Sequence, residues 1–307
     1  MKELHGIIPP VITPLTPGGE LDVAGLERLL EYVLAGGVHG LFILGSTGEG
    51  PAIGFDRQCR MISETCRIVR KRVPVLVGIS SAALDRSIEL ADNADTAGAD
   101  GIVSAPPCYF NCGMPEVIDY FDSLAARTKL PLLIYNMPSM TKTNITPATV
   151  ITLARNPRII GYKDSSGNMC DLHEVIQVLG GNDRFSIFVG PEELLGEAVL
   201  FGADGGVSGG ANLSPHLFVS MYEAALSGDI PEMRRCQRLI YCQRKLYSLG
   251  RFQSSMIKGV KTALSLRGIC SDTMVMPFQR FDTMERRRVE EILQRLNYCG
   301  TPSKFPS

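Results

Sequence analysis

Short apolar runs alternate with longer amphipathic ones along most of the chain. The apolar runs are Gly6–Ile12, Gly40–Leu44, Val73–Ile79, Gly101–Ser104, Leu130–Tyr135, Ile159–Lys163, Phe185–Val189 and Gly205–Ser208. Each is too short for a helix. Each also lacks the polar alternation of a strand with one wet face, so all are expected to be strands buried on both faces. The segments between them have helical period. One opens at Leu21-Asp22 with Asp22 as N-cap, buries Leu26, Leu29, Leu30, Val33 and Leu34, and stops at Gly36-Gly37. Asp85 to Gly98 turns Ile88, Leu90, Ala91, Ala94 and Ala97 inward. Ser214-Pro215 supplies an N-cap followed by proline at the first helical position. Eight strand–helix units, spaced by about 20–35 residues, predict a (β/α)8 TIM barrel over residues 1–225. A doubly wound sheet is the competitor, but no GxGxxG follows the first strand.

The chain continues well past the last strand, with helical patterns at Met233–Leu249, Phe252–Leu266 and Thr283–Leu296. One helix closes a barrel. The excess predicts a C-terminal helical extension, residues 226–307, packed on the barrel without a linker that would make it independent. The tail Gly300–Ser307 reads as frayed.

Composition narrows the function. Lys and Arg number 31 against 32 Asp and Glu, a net charge of -1, which argues against a nucleic-acid partner held by bulk positive charge. The N-terminus MKELHGIIPPVITPL is a poor signal peptide, and no stretch is apolar enough to span a membrane. The nine Cys are an odd number, scattered, with no CxxC pair. They read as reduced thiols in a cytoplasmic protein. His5, His39, His173 and His216 share no spacing with each other or with acids, so neither a metal site nor a Ser-His-Asp triad is expected.

In a barrel of this type chemistry belongs at the C-terminal strand ends and the loops after them. The candidates there are Gly45-Ser46-Thr47-Gly48-Glu49-Gly50, Pro106-Pro107-Cys108-Tyr109-Phe110, Tyr135-Asn136-Met137-Pro138, Lys163-Asp164-Ser165-Ser166-Gly167, Gly190-Pro191-Glu192-Glu193 and Ser208-Gly209-Gly210-Ala211-Asn212. Lys163 is the informative residue, because it closes an apolar strand. A lysine desolvated there has a depressed pKa and can attack a ketone as a neutral amine to form a Schiff base. A lone lysine at a strand end is more often solvated, so this reading needs its neighbours.

Taken together, these positions resemble the dihydrodipicolinate synthase/N-acetylneuraminate lyase family of pyruvate-dependent class I aldolases. The resemblance runs from Gly6 to about Gly268 and rests on several motifs: Gly45-Ser46-Thr47-Gly48-Glu49, Tyr135-Asn136-x-Pro138, Gly161-x-Lys163 with Gly167, Gly202-Ala203-Asp204-Gly205-Gly206-Val207-Ser208 with Asn212, and Lys261. It implies that Lys163 forms the Schiff base with pyruvate or another 2-keto acid and that Tyr135 shuttles protons. It implies that Ser46 and Thr47 hold the keto-acid carboxylate and that Val207 packs beside the imine. Tyr109 matches a tyrosine that reaches across a subunit interface to join a relay with Tyr135 and the Ser46-Thr47 pair. The family is usually tetrameric and uses no metal or organic cofactor.

Departures from the family pattern bear on the second substrate. Dihydrodipicolinate synthases carry an Arg five residues after the catalytic Tyr, and here that position is Met140. Methionine cannot pair a carboxylate, and losing a charge-assisted pair costs about 1.5–3 kcal/mol. Lys142 lies two positions on. The lyases have an apolar residue at this position, and acids after strand seven that bind sugar hydroxyls, as Glu192 and Glu193 are placed to do. Gly209-Gly210 replaces hydroxyl residues that the lyases use, a loss that Ser165 and Ser166 are placed to offset. The resemblance therefore implies aldol cleavage, condensation or dehydration of a hydroxylated 2-keto acid. The alternative is 4-hydroxy-tetrahydrodipicolinate synthase, condensing pyruvate with aspartate semialdehyde. A keto-acid-binding paralogue without activity is a minor alternative, opposed by the intact Lys163/Tyr135 pair.

Overall fold

The structure, a computed structural model, describes residues 4–298. Cys299 and the Gly300–Ser307 tail lie outside the described residues. The strands are β1 (Gly6–Ile7), β2 (Leu41–Ile43), β3 (Val75–Gly78), β4 (Gly101–Ser104), β5 (Leu132–Asn136), β6 (Ile159–Asp164), β7 (Ser186–Val189) and β8 (Gly205–Gly206). Every neighbouring pair is parallel, in the order β1-β8-β7-β6-β5-β4-β3-β2. The ends of this row meet across a seam. His39 N–H donates to Ile7 O at 2.9 Å, Phe42 N–H to Pro9 O at 3.0 Å, and Val11 N–H to Phe42 O at 2.8 Å. The sheet is thus a closed TIM barrel with helices between its strands.

The apolar run Gly6–Ile12 predicts a first strand of that length, but β1 stops at Ile7. Pro9 and Pro10 carry no N–H to donate, so a regular ladder cannot continue through them. The segment keeps one isolated bridge, Pro10 to Phe42.

Two apolar layers sort the strand residues by direction. Ile8, Phe42, Leu76, Val103, Leu133 and Phe188 fill the barrel interior. Ile7, Ile43, Val77, Ile102, Ile134 and Ile187 face the helices. β6 breaks this alternation. Leu132 pairs with Ile159 but Leu133 pairs with Gly161, so β6 carries one extra residue at a bulge. Ile160 faces inward before the bulge, and Tyr162 packs outward after it. Lys163 therefore faces inward, where unbroken alternation from Ile160 would turn it toward the helices. Glycine fits the bulge because a Cβ at Gly161 would lie 2.7 Å from Ser186 O.

The helices follow the sequence pattern with shifted ends. Val23–Ala35 is capped by Asp22, whose carboxylate accepts from Gly25 N–H at 2.9 Å. Leu84–Ala97 ends at Gly98 with φ +82°. Pro215–Ser227 begins at Ser214, although that hydroxyl makes no capping bond. In the extension, Ile230–Arg244 starts earlier than expected because Asp229 caps Glu232 N–H at 3.0 Å and Pro231 suits a first turn. A 3-10 turn, Lys245–Ser248, follows, then Ser255–Leu266 and Thr283–Tyr298.

A buried ion pair ties the extension to the barrel. Lys261, fully enclosed, pairs with Glu49 in the loop after β2 and also donates to Thr273 O at 2.8 Å. The second Glu49 oxygen accepts Val275 N–H at 2.9 Å. Such a pair offsets its desolvation only when it is fully hydrogen-bonded.

Candidate active site

The loop after β2 is held in a strained shape. Leu44 and Glu49 have φ of 58° and 57°, a region that non-glycine residues rarely occupy. Thr13 Oγ1 donates to Gly48 O at 2.6 Å, and the Glu49–Lys261 pair anchors the far end. Between these anchors Ser46 and Thr47 reach the barrel mouth.

Across the barrel, β5 and β6 bring Tyr135 and Lys163 into register as Cα partners. Lys163 is 5% exposed, and its Nζ lies 4.0 Å from the centroid of the Tyr135 ring and 5.1 Å from that of Phe42. Burial pushes the amine below its ordinary pKa, while Tyr135 and Asp164 oppose the shift. Asp164 is itself occupied on the helix side, accepting from Asn136 Nδ2 at 2.9 Å and Ser166 Oγ at 2.8 Å. Tyr135 Oη and Ser46 Oγ stand 3.5 Å apart, at the outer limit of a hydrogen bond. An amine depressed in this way, beside a phenol and two hydroxyls, can act as a nucleophile with a proton carrier at hand.

These groups line a cavity of about 390 Å³, with Val207, Ser165 and Met140 also on its walls. A larger neighbouring cavity of about 570 Å³ shares Ser46, Tyr135, Met137 and Met140 but does not reach Lys163. The smaller one holds the buried Lys163 amine and is the candidate site. Met140 is 43% exposed, an apolar surface at the opening. Glu192 and Glu193 line the same cavity and arrive already partnered. Glu192 is buried and accepts from Gly210 N–H and from Tyr247 Oη, both at 2.7 Å. Burial pushes its carboxyl up to about 7, against the opposing pull of Tyr247, Gly210 and Arg244. Glu193 forms an ion pair with Arg244, and its carbonyl accepts from Gln237 Nε2 at 2.6 Å.

Tyr109 stands apart. It is 82% exposed, its ring set edge-on to Phe110 at 5.1 Å, and within one chain it does not reach this cavity. The sequence reading also missed one wall. Arg244, Tyr247, Gln253, Met256 and Ile257 of the extension close the cavity beside Glu192 and Glu193. The available signal was Gly209-Gly210. A Cβ at Gly209 would lie 2.2 Å from Met256 Cε, so two glycines mark space filled from elsewhere in the chain. Among the described residues no group of three His, Cys, Asp or Glu could hold a metal ion. No described helix is long and apolar enough to cross a membrane.

YagE from Escherichia coli K12, provisionally named a 2-dehydro-3-deoxy-D-gluconate aldolase, is 33% identical over 96% of this chain and 97% of its own length. Its structure in complex with pyruvate superimposes with a TM-score of 0.90, covering 96% of this chain and 99% of that one. YjhH from the same organism, provisionally named a 2-dehydro-3-deoxy-D-pentonate aldolase, is 32% identical over 90% of this chain and 92% of its own. The structure of dihydrodipicolinate synthase from Bacteroides thetaiotaomicron is 48% identical, with a TM-score of 0.92, covering 96% of this chain and all of that one. The Dihydrodipicolinate synthetase family matches residues 3–296, and the chain belongs to that family of pyruvate-dependent class I lyases.

Proposed function

We propose that this protein is a Schiff-base-forming aldolase that cleaves or assembles a hydroxylated 2-keto acid, with pyruvate as one partner. The observation that carries the reading is Lys163, desolvated inside the barrel with its Nζ 4.0 Å from the Tyr135 ring. The neutral amine attacks the keto carbon, and Tyr135 gives its phenolic proton to the departing hydroxyl, so that water leaves and a protonated imine faces the Tyr135 phenolate. In cleavage, Tyr135 takes the proton of the hydroxyl beyond the breaking carbon–carbon bond. The bond's electron pair flows into the imine, an aldehyde departs, and the remaining enamine regains a proton before hydrolysis releases pyruvate. Ser46 and Thr47 hold the carboxylate, Val207 packs beside the imine, and Ser165 and Glu192 meet substrate hydroxyls. The imine itself is the electron sink, so this route calls for no metal or organic cofactor. In this reading the protein works in the cytoplasm as a homo-oligomer, a tetramer, in which Tyr109 completes a neighbour's site. The helices after residue 226 act as an extension of the barrel rather than as a separate domain.

The names of YagE and YjhH support a sugar-acid substrate, as does Met140 in place of a carboxylate-binding Arg. The 48% identity to the Bacteroides synthase favours a second reading, condensation of pyruvate with aspartate semialdehyde. Borohydride reduction in the presence of pyruvate tests the shared chemistry. A pyruvate adduct on Lys163, absent from Lys163→Ala, is expected; no adduct, or one that survives the substitution, refutes it. A panel of 2-keto acids and aldehydes then separates the two readings by pyruvate release or consumption.

A further inference from the structure

The wall of the cavity built by the β7 loop and the extension carries a cation with no assigned work. Among the described residues lining this cavity, the basic side chains are Lys163 and Arg244, and the acidic ones are Glu192 and Glu193. Lys163 is committed to the keto carbon in the proposed mechanism. Among the described residues lining this cavity, Arg244 is then the remaining cation able to receive a second anionic group on a substrate. It is not free to do so. Glu193 engages it through Nε, with the Arg244 side chain 51% exposed and that of Glu193 18% exposed. Glu193 is in turn fixed from behind, since its carbonyl accepts Gln237 Nε2 at 2.6 Å. The pair is electrically neutral as a unit. It still presents guanidinium N–H donors and carboxylate lone pairs, which suit hydroxyls and give no net attraction to an anion.

We infer that Glu193 is a specificity-determining residue that masks Arg244, so that this wall accepts an uncharged, hydroxyl-bearing acceptor and discriminates against one ending in a carboxylate or phosphate. Glu193 acts through Arg244 and is in that sense a positioning residue. The inference rests on the aldolase reading above and deepens it by naming the acceptor class. It also reassigns one of the two acids after strand seven: Glu192 faces substrate hydroxyls, whereas Glu193 sets the charge of its neighbour.

The test uses the full-length protein as wild type, Glu193→Gln, Arg244→Met and the double variant. Each is assayed for condensation of pyruvate with glyceraldehyde and with glyceraldehyde 3-phosphate, and the readout is the ratio of the two kcat/KM values. General damage to the fold lowers both values and leaves the ratio in place. Glu193→Gln keeps the size of the side chain and removes its charge, so the ratio is expected to move toward the phosphorylated aldehyde by about tenfold to a hundredfold, the worth of one unmasked charge-assisted contact. The gain should shrink as salt rises. It should vanish in the double variant, and Arg244→Met alone should change the ratio less than about twofold, because a masked cation has little to lose. An unchanged ratio in Glu193→Gln overturns the inference. So does a gain that survives in the double variant, since removal of acid repulsion would then explain it without Arg244. Undetectable condensation with both aldehydes overturns it too. Borohydride trapping with pyruvate, run on the same wild-type sample, separates the two levels. No adduct on Lys163 sinks the aldolase reading, whereas an adduct with a constant ratio sinks only the masking of Arg244.

Discussion

Replacing Glu192 with glutamine should make the protein more stable at alkaline pH and change little near pH 4.5. The carboxyl is buried, and desolvation raises its pKa from 4.5 to about 7. Between those two values the folded state binds a proton that the unfolded state has released, so stability falls as pH rises through that window. At ~1.36 kcal/mol for each pH unit, the full loss above pH 7 is about 3 kcal/mol. The hydrogen bonds permit the substitution. The glutamine carbonyl can accept Gly210 N–H, as Glu192 Oε2 does at 2.7 Å. Its amide can donate to the Tyr247 oxygen once the hydroxyl turns away. Gln243 lies beside Tyr247, and its Oε1 is buried without a partner among the described residues. The rotated hydroxyl can donate there. Chemical denaturation of wild type and Glu192→Gln at pH 4.5, 6 and 8 is the assay. The variant's advantage should be near zero at pH 4.5 and grow to about 2–3 kcal/mol at pH 8. A pH-independent difference would show that Glu192 does not carry this proton. A variant less stable at pH 8 would show that its charged hydrogen bonds outweigh burial.

Three further outcomes follow from the geometry. Tyr135→Phe keeps the ring beside Lys163 and removes the hydroxyl, so turnover should fall about 10²-fold or more with an unchanged thermal midpoint; wild-type kcat would take Tyr135 out of the mechanism. Met140→Arg places a fork at the cavity opening, and kcat/KM for aspartate semialdehyde should rise by about tenfold or more; efficient use of that aldehyde by the wild type would instead point to another carboxylate partner, such as Lys142. Lys261→Met leaves Glu49 buried without its cation and should cost about 3–5 kcal/mol, with part of the loss restored by adding Glu49→Gln; thermal melts that scarcely move would show the pair to be dispensable.

Much of the barrel was legible because its strands are buried on both faces. Residues such as Val75–Val77 and Leu132–Ile134 must be apolar whichever way they point, so the runs stand out without any knowledge of direction. Direction itself was less visible. Nothing in Ile159–Lys163 announces the extra residue that turns the lysine inward, because a bulge is a property of two strands read against each other. Lys163, Tyr135, Ser46 and Thr47 were reachable because each sits at or just past the C-terminal end of a barrel strand, β6, β5 and β2. Arg244, Tyr247 and Met256 were not, since their helices pack over the barrel from far along the chain, and that placement is written in tertiary contacts alone. The Glu192-Glu193 pair shows the same limit from the other side. The sequence presents two equivalent acids, while the fold buries one against Tyr247 and pairs the other with Arg244.

The extra residue in β6 has a meaning for anyone wishing to move this chemistry elsewhere. An idealised barrel keeps strict two-residue phase along every strand, and a designer copying only the side chains would seat a lysine three positions after an inward Ile160 on the outer wall. The amine would then be lost among the helices, in a barrel that is more regular for it. A transplanted site must carry the dislocation together with the lysine, including a residue as small as Gly161 at its centre. The inward aim of Lys163, on which the proposed chemistry depends, is stored as a counting error in one strand, and a scaffold scored for regularity would be corrected into one that hides the amine.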